Sequence, residues 1–84
     1  MDIYDQAVTK WGHESQINMM IEECAELITA LRHFARGKAT IDDVCSELAD
    51  IEIMSAQMRS CFGNKKIEAA IELKIMRLKQ LLDD

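Results

Sequence analysis

The sequence predicts an all-α fold, an antiparallel helical bundle of about four helices that is completed by homo-oligomerisation. The chain contains no proline and only three glycines, which nearly excludes a loop-rich all-β fold. Apolar residues recur between the glycines at the spacing of helix faces. The chain has 84 residues, enough for one domain over 1–84. A chain this short rarely buries a core worth more than about 3–5 kcal/mol, so we expect a second copy to supply further burial.

Each glycine marks the end of a predicted helix, where a left-handed residue is favoured. Thr40 is a suitable N-cap for the third helix, and Asp43 follows three residues later in a weak capping box. Asn64 is a fair N-cap for the fourth helix. The predicted helices cover residues 2–11, 14–36, 41–62 and 65–82.

Acidic side chains interrupt the apolar faces of the two central helices. On a helical wheel, Glu47 lies inside the apolar arc of the third helix, and Asp50 lies at the border of that arc. Glu23 lies at the edge of the apolar stripe of the second helix, and Glu26 lies one step further out. Each pair has the i, i+3 spacing that places two side chains on one face.

Four clustered carboxylates need a cation, because they repel one another and because burying an unpaired carboxylate costs several kcal/mol. Oxygen ligands without histidine or cysteine suit a hard divalent ion, Mg²⁺ or, in its place, Mn²⁺. A buried ion pair between Glu47 and a basic residue is the alternative.

A basic residue interrupts the apolar face of the fourth helix. Lys74 lies in the middle of its apolar arc, and Arg77 follows three residues later. These two cations are placed to hold the oxygens of a phosphate chain beside the metal. The alternative is a lysine that extends to solvent or pairs with Glu47. Carboxylates, a divalent metal and basic side chains together are typical of phosphoryl chemistry.

Charge and composition exclude several classes of protein. A formal net charge of −5 argues against a protein that binds duplex nucleic acid. No apolar run reaches the roughly 18–20 residues that cross a bilayer, and the first residues do not resemble a signal peptide. The three cysteines form no CxxC motif, so we expect reduced thiols and a cytoplasmic protein.

The acidic residues form a recognisable pattern. The segment EECAE at 22–26, followed after twenty residues by ELAD at 47–50, matches an EExxE…ExxD signature. The chain resembles the MazG-type all-α nucleoside triphosphate pyrophosphohydrolases, and the likeness extends from Lys10-Trp11-Gly12 to Lys74 and Arg77. The resemblance implies a single MazG-like helical domain. It also implies a Mg²⁺-dependent enzyme that cleaves a nucleoside triphosphate to a monophosphate and pyrophosphate.

The resemblance also implies roles for individual residues. Lys74 and Arg77 would hold phosphates, and helices of two subunits would build the site in a homodimer or a dimer of dimers. Glu22 would be a further metal ligand or would orient the attacking water, acting with Glu23 and Glu47 in catalysis. The implied metal ligands are Glu23, Glu26, Glu47 and Asp50.

Two residues are candidates for contacting the nucleobase. Gln16 lies two turns before Glu23 on nearly the same row of the second helix, so its amide could reach a base edge. Trp11 could stack on a base, although anchoring the first helix explains it equally well. The base and sugar of the substrate stay open at this stage.

Two other classes fit parts of the pattern. A carboxylate-bridged di-iron bundle needs Glu-x-x-His motifs, and neither histidine has a glutamate three residues before it. A non-catalytic dimerisation or regulatory module would pair the acids with Lys74 and Arg77 and would not respond to Mg²⁺.

Overall fold

The computed structural model describes all residues from Met1 to Asp84 and is entirely helical. Helices of about two and a half to six turns follow one another with short connections, and there is no strand. The prediction of an all-α fold with four helices is therefore confirmed. The helices are α1 (Ile3–Trp11), α2 (His13–Ala35), α3 (Ile41–Phe62) and α4 (Asn64–Asp83).

Local hydrogen bonds fix where the helices begin. The Asp2 carboxylate accepts from the Asp5 amide at 2.8 Å and caps α1. At α3 the capping box forms as predicted: the Asp43 amide donates to Thr40 Oγ1 at 3.1 Å, and the Thr40 amide donates to the Asp43 carboxylate at 2.8 Å. The predicted cap at Asn64 is wrong, because α4 begins at that residue without a side-chain cap. The side-chain oxygen of Asn64 instead accepts from Arg59 at 2.8 Å.

The turn after α2 is a Schellman motif. The Gly37 amide donates to the Phe34 carbonyl at 3.0 Å, and the Lys38 amide donates to the His33 carbonyl at 2.8 Å. Gly37 adopts φ 72°, which a residue with a Cβ atom adopts only with strain. Two hydrogen bonds and one glycine therefore fix the backbone of Lys38 relative to that of His33.

Helices α1, α2 and α3 all contact one another, whereas α4 contacts α3 alone. Helices α2 and α3 make the most extensive contact, and α1 contacts both of them. Ser60 of α3 donates a hydrogen bond to the Asp5 carboxylate of α1 at 2.6 Å. Helix α4 contacts only α3, where Arg59 forms an ion pair with Glu68. Helix α4 is therefore attached to the bundle through α3 alone, and completion of the bundle by a second copy stays a prediction.

The chain exposes more surface than a compact monomer of its mass. Its radius of gyration is 15.6 Å, whereas a compact domain of this length has about 12 Å. Its accessible area is 6689 Å², whereas a folded monomer of 9.6 kDa exposes about 5,100 Å². Only Ala7, Val8, Met54 and Gln16 are buried. None of the helices has the length and continuous apolar character that crossing a membrane needs.

Candidate functional site

The candidate site lies along the seam between α2 and α3, the antiparallel pair. Glu26 of α2 faces Glu47 of α3, and three residues back on α2 Glu23 faces Asp50, three residues forward on α3. In two antiparallel helices, a step of three residues back along one helix matches a step of three residues forward along the other, so the two pairs are in register. The seam between the predicted core helices therefore carries two facing acid pairs.

The carboxylates approach closely enough to share one ion. Single oxygen atoms of Glu23, Glu26 and Glu47 all lie within 4.8 Å of one another. Glu23, Glu47 and Asp50 are half-buried, and Glu26 is exposed. The structure thus brings three of the proposed metal ligands together, with Asp50 beside Glu23.

The electrostatics of this acidic cluster, defined as Glu23, Glu26, Glu47 and Asp50, are unfavourable without a cation. Burial raises the pKa of Glu23 above its ordinary value, and the negative charges of Glu26, Asp50 and Glu47 raise it further. Burial also raises the pKa of Glu47, and Glu26 and Asp50 add to the effect. One oxygen of Glu23 and one of Glu47 are buried without a hydrogen-bond partner, so each retains an unused lone pair.

No basic side chain of the chain forms an ion pair with the acidic cluster. The only ion pair is the one between Arg59 and Glu68, at the corner between α3 and α4. Lys74 and Arg77 lie on α4, which makes no contact with α2. Within one chain they are therefore not brought to the acids, and no basic residue pairs with Glu47.

The donor set fits a hard divalent cation. All of the converging groups are carboxylates, and two of their oxygens have no partner within the protein. Mg²⁺ and Mn²⁺ prefer such oxygen ligands and keep some of their waters. Glu22 is not part of the cluster: it is exposed and lines a neighbouring surface groove together with Trp11 and Met19.

Toward the start of α2, the seam opens into an amide pocket, defined by its lining residues. Gln16 is only 4% exposed, yet its side-chain oxygen has no hydrogen-bond partner, and the same holds for the buried oxygen of Gln57. Trp11 is 56% exposed at the same pocket, so part of its ring is open to a ligand. The pocket measures about 310 Å³ and is lined by Trp11, Ser15, Gln16, Met19, Met54 and Gln57.

Gln57 is a site residue that the sequence analysis missed. It follows Asp50 by seven residues on α3, just as Gln16 precedes Glu23 by seven residues on α2. The antiparallel register therefore places the two amides at one level of the seam, about 10 Å from the Glu23–Asp50 pair. This symmetry of spacing was available in the sequence once the acid pairs had been aligned.

At the opposite end, where α2 turns into α3, the seam opens into a second cleft of about 510 Å³, here called the turn cleft. Glu26 and Glu47 line it on the side of the acidic cluster, and His33 and Lys38 line it near the turn. The charge of Asp43, also in the cleft, is held in the capping box, where the hydrogen bond from the Thr40 amide lowers the pKa of its carboxyl. The sequence analysis did not select His33 or Lys38.

Comparison of the chain with models of known protein families, with characterised proteins and with solved structures found no match.

Proposed function

We propose that this protein is a Mg²⁺-dependent nucleoside triphosphate pyrophosphohydrolase that cleaves its substrate to a nucleoside monophosphate and pyrophosphate. One observation supports the proposal above all others. Three carboxylates converge across the α2–α3 seam with Asp50 beside them, two of their oxygens are buried and unpartnered, and no basic side chain forms an ion pair with them. Such a cluster is costly to a protein that does not use it to bind a cation.

The carboxylates of the acidic cluster would hold Mg²⁺, or Mn²⁺ in its place. The ion would neutralise phosphate charge and lower the pKa of the attacking water. Burial and neighbouring negative charges raise the pKa values of Glu47 and Glu23, so one of these two carboxylates is the candidate proton acceptor. The water oxygen would bond to phosphorus, its proton would pass to the carboxylate, and the bridging P–O bond would break with its electron pair leaving on pyrophosphate. Glu22, outside the cluster, would at most orient this water from the rim.

The amide pocket is the candidate nucleobase site. Gln16 and Gln57 each carry a donor and an acceptor, and their oxygens have no partner within the protein. An unpaired buried amide costs free energy that a ligand with complementary polar edges would recover. Trp11 offers a partly exposed ring at the same pocket for stacking.

A second copy of the chain completes the proposal. The chain exposes about 1,600 Å² more than a compact monomer of its mass, which is more than the roughly 800 Å² that each partner buries in a standard interface. Large apolar side chains are exposed on α4, where Leu78 is 54% and Leu81 is 60% exposed. In a homodimer or a dimer of dimers, α4 of one copy would bring Lys74 and Arg77 to the phosphates held by the other.

A nucleotide panel tests the activity. With Mg²⁺, the protein is expected to release pyrophosphate from at least one nucleoside triphosphate, and EDTA is expected to abolish the release. Glu47→Gln is expected to lower kcat/KM at least a hundredfold, because it removes both a ligand and a buried charge. Glu72→Gln, which removes an exposed carboxylate from α4, is the matched control and is expected to retain activity.

A non-catalytic dimerisation module is the second candidate, favoured by the exposed apolar face of α4. This alternative predicts no pyrophosphate release under any metal and no gain in thermal stability from millimolar Mg²⁺. The enzyme hypothesis predicts both pyrophosphate release and a gain in thermal stability with Mg²⁺. It also predicts that Glu47→Gln loses most of this gain. Absence of turnover across the panel, together with indifference to Mg²⁺, would favour the module.

A further inference from the structure

The two openings of the α2–α3 seam differ in chemistry, although they lie on either side of one acidic cluster. The amide pocket is lined by neutral amides, a tryptophan and two methionines, with no charged side chain. The turn cleft contains the basic side chains His33 and Lys38 together with three carboxylates, those of Glu26, Glu47 and Asp43, and the Asp43 carboxylate is engaged in the capping box. A ligand that spans the seam therefore meets a neutral, partly apolar end and an end with basic groups.

Lys38 is free to bind an anion. Its ammonium forms no ion pair, although Asp43, Glu26 and Glu47 line the same cleft. Its backbone is held by the hydrogen bond to the His33 carbonyl and by the conformation of Gly37, so the turn presents the lysine in a defined direction. His33 lies on the last turn of α2, one helical turn after Thr29 and Ala30 of the same cleft.

Gln16 and His33 are 17 residues apart on α2, about 25 Å along the helix, so the side chains at both ends of the seam must reach inward to meet one nucleotide. Glu26 and His33 are seven residues apart on α2, which is about 10 Å along the helix. The Glu23–Asp50 pair and the amide pair are separated by the same interval in the other direction. The acidic cluster therefore lies midway between the amides and the basic groups.

We infer that the nucleotide lies along the seam in one direction, with its base in the amide pocket and its terminal phosphates in the turn cleft, held by Lys38 and His33. This inference rests on the proposed function and adds to it the place where pyrophosphate leaves. The bond between the first and second phosphates then lies over the acidic cluster. Lys38 acts as a positioning residue for the departing pyrophosphate, within the same chain that carries the acids.

The binding of two fragments of the substrate tests the direction in which the nucleotide lies along the seam. The ligands are inorganic pyrophosphate and a nucleoside monophosphate, each titrated calorimetrically into the full chain with Mg²⁺. Lys38→Met is expected to weaken pyrophosphate binding about fivefold, because it removes a charge-assisted hydrogen bond at a solvent-exposed site. It is expected to leave monophosphate binding within about twofold of wild type. Gln57→Leu is expected to show the reverse pattern, and Lys38→Arg is expected to retain pyrophosphate binding.

Arg36→Met is the matched control, since it removes the same charge from the same turn at a residue that does not line the cleft. The inference is overturned if Arg36→Met weakens pyrophosphate binding as much as Lys38→Met does. It is also overturned if Lys38→Met weakens the monophosphate more than pyrophosphate, or if wild type binds no pyrophosphate. If nucleotides are still hydrolysed in those cases, the inferred direction of the nucleotide is wrong and the proposed function stands. If no nucleotide is hydrolysed and neither fragment binds, the proposed function fails with it.

Discussion

The α2–α3 seam and helix α4 depart from an ordinary soluble fold in opposite ways. At the seam, carboxylates occupy positions where a core is expected, and oxygens of Glu23 and Glu47 are buried without partners. On α4, leucines and Ile75 of the predicted apolar arc are exposed to solvent, and Leu82 is 75% exposed. Charge is buried in one region, and apolar area is exposed in the other.

The comparison shows that each region lacks a different partner. Buried carboxylates gain most from a cation, because desolvation penalises the charged form and like charges repel. An exposed apolar helix face gains most from another protein surface, because each square ångström removed from water contributes about 25 cal/mol. One chain by itself satisfies neither need, so separate perturbations of the two regions are expected to have separable effects.

The largest expected effect concerns α4. Leu78→Glu combined with Leu81→Glu places charge on its apolar face and is expected to weaken self-association at least a hundredfold, since burying one leucine contributes about 1.5–3 kcal/mol. Sedimentation equilibrium measures this directly. Gln80→Glu adds a charge to the opposite face of α4 and is expected to leave association unchanged. A wild-type protein that is monomeric at every concentration would contradict the role given to this face.

A smaller effect, on thermal stability, is expected at the start of α3, where the capping box stabilises the first turn of the helix at one end of the seam. Thr40→Ala removes the oxygen that accepts from the Asp43 amide and is expected to cost about 1 kcal/mol, lowering Tm by about 4–8 °C. Thr29→Ala makes the same chemical change within α2, where the hydroxyl donates only to the Ala25 carbonyl. Thermal unfolding at fixed protein concentration compares the two. Equal losses for both variants would show that the box does not stabilise this end of the seam.

The smallest expected effect is the pH dependence of the metal-free protein. The folded-state pKa values of Glu23 and Glu47 lie above the ordinary value of 4.5, so the folded chain keeps protons that the unfolded chain has lost. In EDTA, the free energy of unfolding is therefore expected to fall as pH rises from about 4.5 through the raised values, and then to level off for these groups.

The variant Glu47→Gln is expected to reduce the dependence of the free energy of unfolding on pH. It is also expected to raise the Tm of the metal-free protein by a few degrees at neutral pH. Saturating Mg²⁺ is expected to reverse that order, because it stabilises the wild-type site. Glu52→Gln removes an exposed carboxylate of α3 outside the cluster and serves as the control. A wild-type slope that persists unchanged in Glu47→Gln would place the responsible groups elsewhere.

Several features of the site could be predicted from single helices. The i, i+3 spacing placed Glu47 and Asp50 on one face of α3, and the structure brings Glu47 together with Glu23 and Glu26. Gln57 and Lys38 could not be selected in the same way. Gln57 acquires meaning only from its level opposite Gln16, and Lys38 only from the cleft that forms where α2 turns into α3.

For Lys74 and Arg77, the sequence predicts phosphate contacts but does not say which copy's acids they approach. Within one chain α4 contacts only α3, so the approach of these residues to the acids of a second copy stays a prediction. Helical periodicity shows that one face of a helix prefers burial, and it is silent on whether that burial occurs within the same chain. Completion of the four-helix bundle by a second copy therefore stays a prediction.

The amino-acid sequence by itself determined the four helices, their ends near glycines, and the capping box at Thr40 and Asp43. These features depend on residues within one or two turns, and their hydrogen bonds close locally. Only the tertiary structure decided which acid faces which across the seam and that α4 leaves the body of the chain. Both outcomes depend on contacts between residues far apart in sequence, where the balance of packing and desolvation selects one arrangement among several with the same local pattern.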